Sequence, residues 1–165
     1  MLLNPNGVGA AGASMLIDLN IINARIPLGG ELFEGGVSIE EGKIIKVGKT
    51  ARLPRSDETV DAMGLILLPG LIDAHVHLRD MGLSFKEDFY SGTSAAAAGG
   101  FTSVLDMPNT QPITDSLETF TEKTEQARNK LLVNVGFFAA FPEELNAFAP
   151  LAEAGAIGFK VHMAR

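Results

Sequence analysis

The chain has 165 residues, enough for one domain or one domain plus a small module, and its apolar fraction of 46% is that of a packed globular protein. It contains no cysteine, which excludes disulfides and thiolate ligands, so any metal must be held by histidine, carboxylate or a modified lysine. A formal net charge of −7 argues against a nucleic-acid partner, because phosphate binding needs a basic footprint; it says little about a small anionic substrate, since a metal and one arginine can dominate a local field.

In chain order, residues 1–14 ("MLLNPNGVGAAGAS") are small, Gly-rich and unpatterned, and read as a flexible leader with Met15 a natural start. They lack the basic region and long apolar core of a signal peptide. The most apolar segment, "LILLPGLIDAHV", is cut by Pro69 and Gly70, so no membrane span is expected and the location expected is cytoplasmic. From Met15 the pattern is β. "MLIDLNIIN" alternates loosely, "GVSIEEGKIIKVG" predicts a hairpin turning at Glu40-Glu41-Gly42, and "ETVDAMGLILLPG" predicts two more short strands. Residues 15–68 thus read as a small β module.

After Pro69 the rhythm changes. "LIDAHVHL" predicts a buried strand, and "FKEDFYSGTSAAAAGG" a helix beginning near Lys86, Glu87 and Asp88 and stopped by Gly99-Gly100. "FTSVLDMP" predicts a strand. "DSLETFTEKTEQARNK" predicts a helix with Asp115 or Ser116 as N-cap and Glu118 in its first turn. "LLVNVGFFAA" is a strand, "PEELNAFAPLAEAG" a helix from Pro142 to Gly155, and "AIGFKVHM" a strand. This β-α-β-α-β-α-β order implies an α/β fold with parallel strands and outer helices. A doubly wound sheet and a (β/α)8 TIM-type barrel both fit. The first strand is followed by His-x-His-x-Arg rather than a Gly-rich loop, and His75, His77, Asn109 and Lys160 fall at strand C-termini, where barrels place their sites. The expectation is therefore an incomplete barrel over residues 69–165, its first four strands and three helices, truncated against the eight strands of a full one.

The chemistry gathers on few residues. In a strand, His75, His77 and Arg79 would share one face, and two imidazoles so spaced can chelate one ion; equally, two buried histidines can be structural. Asp73 could orient a histidine or cap the start of the strand. Arg79 offers a fork of donors suited to a carboxylate, or an ion pair with Asp80 or Asp88. In "DMPNTQPITD", Asn109 is either a turn residue or a polar group presented to a ligand. In the last strand Ile157, Phe159, Val161 and Met163 share one face and Gly158, Lys160 and His162 the other. An inward lysine is pushed toward its neutral form, which can add carbon dioxide to give a metal-bridging carbamate; the alternative is a lysine paired with an acid. His162 is read as a pocket-lining residue.

"LPGLIDAHVHLRD", "KEDFYSGTSAAAAGGFTSVLDMPNTQPITD" and "GAIGFKVHM" resemble the amidohydrolase superfamily, and within it the dihydroorotases, from about Met15 onward. The resemblance implies reversible cyclisation of N-carbamoyl-L-aspartate to dihydroorotate in pyrimidine biosynthesis, by a metal-bound hydroxide. It implies that His75 and His77 bind zinc (Zn2+, two per active site), that Lys160 bridges the pair as a carbamate formed from CO2 or bicarbonate, and that Arg79 and Asn109 grip the substrate carboxylate. Residues 15–68 match the N-terminal part of a β-sandwich. Met81 stands where many dihydroorotases have proline, with little effect expected. No general base is assigned within these residues: that aspartate and two further histidines are expected beyond Arg165, so the chain alone is expected to be inactive. The partner expected is a small anionic substrate, with no nucleic acid and no membrane; the assembly is left open, a homodimer among the options. Alternatives are a hydantoinase- or allantoinase-like cyclic amidohydrolase, for whose neutral ring Arg79 is unneeded, and a non-catalytic homologue acting as an assembly scaffold.

Overall fold

The computed structural model describes residues 16–161 and Met163; the expected leader and His162 lie outside the described residues. The chain divides into two compact units, 1–69 and 70–165.

In the first unit, β1 (Ile17–Leu28) and β2 (Glu31–Glu40) form an antiparallel hairpin turning on Gly29-Gly30, whose φ values are 60° and 88°. A two-residue turn of this hand needs positive φ at both positions, which glycine supplies without strain. A second such turn, Glu41-Gly42, leads into β3 (Lys43–Gly48), where the hairpin is expected. β4 (Ser56–Asp61) lies parallel to β1, giving the order β3-β2-β1-β4. The second strand expected in "ETVDAMGLILLPG" does not form. Met63 and Gly64 take positive φ and turn the chain, and the remaining pairing is a single bridge between Arg25 and Ile66. Ala24, Ile26 and Val37 are the buried centre of this unit. Its buried polar pair is self-satisfied: Ser38 Oγ donates to Asn20 Oδ1 (2.7 Å) and Asn20 Nδ2 to the Pro54 carbonyl (2.7 Å).

In the second unit the β/α alternation is present. β5 (Leu71–Val76), β6 (Phe101–Asp106) and β7 (Asn134–Phe137) form a parallel sheet in that order, and β8 (Ala139–Ala140) pairs parallel with β9 (Phe159–Lys160). β7 and β8 are one strand that changes partner at Phe138: Phe138 N still donates to the Asp106 carbonyl, and Ala139 N already donates to Gly158. The connections carry α1 (Phe89–Ala98), α2 (Leu117–Ala127) and α3 (Phe148–Glu153). No helix among the described residues is long and apolar enough to cross a membrane.

Helix starts follow capping chemistry. Asp88 caps α1 in a reciprocal box with Ser91, so Lys86 and Glu87 precede the helix rather than begin it. The Ser91 amide holds the Asp88 carboxyl below its usual range. Ser116, not Asp115, caps α2, with Glu118 in its first turn. α3 starts later than Pro142, after a single tight turn at Leu145–Ala147, and Gly155 (φ 102°) terminates it.

The core joins Phe89, Val104, Phe120, Phe137 and Leu151 from strands and helices, with the Phe89 and Phe137 rings edge-on at 5.9 Å. Phe159 packs on Phe148 of α3 (4.6 Å), as the apolar face expected for its strand requires. β5 differs from its expectation. It is the edge of its sheet among the described residues, and Leu71 and Ile72 are exposed rather than buried. Because Phe120 is 1% exposed and Leu117 is 46% exposed on the same helix, Phe120→Ala should lower unfolding free energy by about 3–5 kcal/mol and Leu117→Ala by about 0.5 kcal/mol, as read by urea denaturation.

Candidate metal and substrate site

The β5–β6 ladder ends at Val76 opposite Asp106. His75 therefore lies inside β5, whereas His77 lies just past it and Arg79 sits in a left-handed turn (φ 58°). This corrects the expectation that all three share one strand face: the strand ends at Val76, three residues before Arg79. The histidines are adjacent all the same, with ring centroids 5.2 Å apart, and both are exposed. Asp73 orients His75 through the backbone, its Oδ1 accepting from the His75 amide at 3.0 Å.

Asn109, 32 residues on, follows β6 and returns to the same place. Its Oδ1 is 2.8 Å from His77 Nδ1. With Oδ1 as acceptor, Nδ1 carries the proton and Nε2 keeps a free lone pair. Such a partner on the other ring nitrogen is what sets a histidine for ligation through Nε2. Arg79 Nη1 donates to the Asn109 carbonyl over a long 3.5 Å. Neither acid suggested as an Arg79 partner takes that role: Asp80 pairs with Lys130 and Asp88 caps α1.

Asn109 also lines a cleft of about 760 Å³ with Pro108, Asp115, Phe141, Glu143 and Lys160. Lys160, at the end of β9, is half-buried and is in no ion pair among the described residues. No group of three or more His, Asp and Glu close enough to hold a metal occurs among the described residues. The donors present fit a partial metal site: two neighbouring imidazoles, one with its tautomer set.

Two acid–lysine pairs that the sequence reading missed support this end of the fold. Asp106 and Lys123 are fully buried, 2.7 Å apart. Burial pushes the Lys123 ammonium below its usual pKa, and the Asp106 charge and hydrogen bond oppose that shift. The signal was a lysine on the apolar stripe of α2, between Phe120 and Ala127. Asp80, 3% exposed, accepts from Met81 N (2.7 Å), Phe89 N (3.1 Å) and Lys130 Nζ (2.8 Å). It thereby holds a run of three left-handed residues, Arg79, Asp80 and Met81 (φ 58°, 49° and 52°). A proline ring, which fixes φ near −65°, does not fit the φ of 52° found at Met81. Asp80→Ala leaves two inner N–H groups unpaired and should cost about 2–4 kcal/mol in urea unfolding. Lys130→Ala removes a partner that is 43% exposed and should cost at most about 1 kcal/mol.

Comparison with known proteins gives the family. A family model described as dihydro-orotase-like matches residues 64–163. Among curated proteins, a dihydroorotase of Methanosarcina mazei is 45% identical over 119 residues, covering 72% of this chain and 26% of that protein. A dihydroorotase of Geotalea daltonii is 42% identical over 142 residues, covering 78% and 33%. Among solved structures, an L-hydantoinase (dihydropyrimidinase) from Arthrobacter aurescens superimposes with a TM-score of 0.84 at 32% identity, covering 91% of this chain and 34% of that one. The chain thus spans about a quarter to a third of the length of these relatives. Having "HVHLRD" and "MPNT" meet through the His77–Asn109 bond, and with that family matched over most of its length, the chain belongs to the dihydroorotase-like family.

Proposed function

We propose that the full-length protein is a zinc-dependent dihydroorotase that interconverts dihydroorotate and N-carbamoyl-L-aspartate in the cytoplasm, on a (β/α)8 barrel begun by β5–β9. The observation that carries this reading is the hydrogen bond between His77 and Asn109, which joins a candidate metal ligand to a candidate substrate group. The names of the curated relatives support the same activity.

On this reading His75 and His77 hold zinc, and Lys160, as a carbamate made from carbon dioxide, completes the ligands this chain supplies. The metal would supply an activated water and polarise the scissile amide. The protein groups do the rest. Arg79 presents donors to the ring carboxylate, a charge-assisted contact that fixes the orientation of the ring. Asn109 holds the His77 tautomer with its oxygen and keeps both amide N–H groups for the substrate. Asp73 fixes the backbone at His75.

The alternative, a hydantoinase-type enzyme, is favoured by the L-hydantoinase superposition. Arg79 separates the two, since a ring without a carboxylate leaves its guanidinium without a partner. The test uses purified full-length protein loaded with zinc and bicarbonate. Dihydroorotate should be hydrolysed and unsubstituted hydantoin should not, and Arg79→Ala should lower kcat/KM for dihydroorotate about 10- to 150-fold. Turnover of hydantoin with no use of dihydroorotate would favour the alternative. Metal analysis should find about two zinc ions per chain; a protein that binds no divalent ion would overturn the catalytic reading.

A further inference from the structure

We infer that the buried Asp106–Lys123 pair is a positioning device that fixes the two strand ends carrying His77 and Asn109 against each other. Its consequence for substrate use rests on the function proposed above. The inference itself concerns backbone geometry.

The backbone ladder between β5 and β6 gives out where the site begins. Its last rung is Met107 N to the Val76 carbonyl, 3.0 Å. The next inward donor on the first strand is Leu78 N, and no backbone carbonyl of β6 meets it. It donates instead to Asp106 Oδ1, 2.8 Å away. The aspartate side chain therefore adds one rung beyond the ladder, immediately after His77. The Asp106 carbonyl meanwhile accepts from Phe138 N at 3.0 Å, tying in the third strand.

Lys123 fixes that side chain from below. Its ammonium reaches Asp106 Oδ2 (2.7 Å) and donates to the Met107 carbonyl (3.1 Å), two residues before Asn109. It also lies over the Phe137 ring, 5.1 Å from the centroid. One lysine thus joins α2 to β6, to β7 and to the start of the Asn109 loop. Neither side chain has any exposure, so neither can contact substrate. General energetics do not explain the pair: apolar residues of similar volume often replace a buried ion pair without loss of stability. The hydrogen bonds to Leu78 and Met107 are what apolar residues would not reproduce.

This separates the roles of charge and of geometry experimentally. In the full-length protein, Asp106→Asn with Lys123→Met removes both charges and keeps an acceptor for Leu78 N. Asp106→Leu with Lys123→Met removes both charges and the acceptor. Hydrogen exchange of peptides spanning 75–80 and 107–110 reports the strand ends without any substrate. Melting temperature reports stability, and KM and kcat for dihydroorotate report the site.

The Asn–Met chain should keep wild-type exchange over 75–80, because Leu78 N keeps its acceptor, while 107–110, where the Met107 carbonyl has lost its lysine, should exchange faster; its kcat/KM should fall less than that of the Leu–Met chain. The Leu–Met chain, with Leu78 N left unpaired, should melt a few degrees below the Asn–Met chain, yet exchange over 75–80 about tenfold or more faster, out of proportion to exchange elsewhere, and show a KM raised about tenfold or more. Equal exchange and equal kinetics in the two chains, or losses that simply follow melting temperature, would overturn the inference. If the Leu–Met chain is not recovered folded, Asp106→Val with Lys123→Met takes its place. If that also fails to fold while the Asn–Met chain keeps wild-type exchange over 75–80, the acceptor is a requirement for folding and the positioning role is overturned. Wild-type protein that ignores dihydroorotate would sink the proposed function, and the exchange measurements would then decide the positioning role by themselves.

Discussion

Parallel strands can pair only if the chain crosses back between them, so every strand of such a sheet ends on the same side. That constraint organises the second unit. β5 ends at Val76, β6 at Asp106, β8 at Ala140 and β9 at Lys160; His77 and Asn109 follow the first two ends, and Lys160 is itself the last residue of β9. His77, Asn109 and Lys160 are far apart in sequence. Connectivity alone sends them to one rim, where Asn109 bonds His77 and lines the same cleft as Lys160. The helices serve this arrangement. Each buries a few apolar side chains, Phe89, Phe120 and Leu151 foremost, and so returns the chain to the opposite edge for the next strand.

The rim itself needs more than strand pairing, because the ladder stops before the site begins. Here buried carboxylates act as backbone acceptors. Asp106 takes up Leu78 N, and Asp80 takes up Met81 N and Phe89 N. Each is balanced by a lysine from a later segment, Lys123 or Lys130. An acceptor that is ionised makes a stronger bond than a neutral one, and its lysine reduces the cost of burying the charge. The run of left-handed residues at Arg79, Asp80 and Met81 is the kind of backbone that persists only where its surroundings hold it. Asp80 supplies that hold at three points, and so sets where the Arg79 side chain begins.

Period and punctuation in the sequence carried most of the second unit. The alanine-rich segment closed by Gly99-Gly100, the Ser116 cap and the apolar strands "FTSVLD" and "NVGF" are local signals, and the elements they predict are present. Signals that depend on partners were not legible. β5 reads as buried from composition, but exposure is decided by neighbouring strands, and β5 has one neighbour among the described residues. His75, His77 and Arg79 read as one face, yet the strand stops at Val76 because the next backbone donor finds a side chain instead of a strand. Lys123 reads as an ordinary helical charge unless its place between Phe120 and Ala127 is weighed, and its partner Asp106 is 17 positions away in numbering on another element. The likeness to known motifs reached the His77 and Asn109 positions before the geometry did; the hydrogen bond between them is what the structure adds.

That bond also bears on which substrate the proposed site prefers. Asn109 has one carbonyl oxygen and two amide hydrogens. With the oxygen committed to His77, what remains toward a ligand is donors alone, and Arg79 nearby contributes only donors as well. These two donor groups suit a carboxylate, whose two oxygens only accept. A neutral cyclic amide offers fewer acceptors and would leave part of this set unpaired once water is displaced, at a cost of about 1–3 kcal/mol for each group so stranded. The asymmetry comes from His77: by taking the amide oxygen, the histidine fixes which end of Asn109 is left for a ligand. In the proposed dihydroorotase, metal ligation and substrate charge would then not be independent, because the same amide would serve the imidazole with one end and an anionic ring with the other.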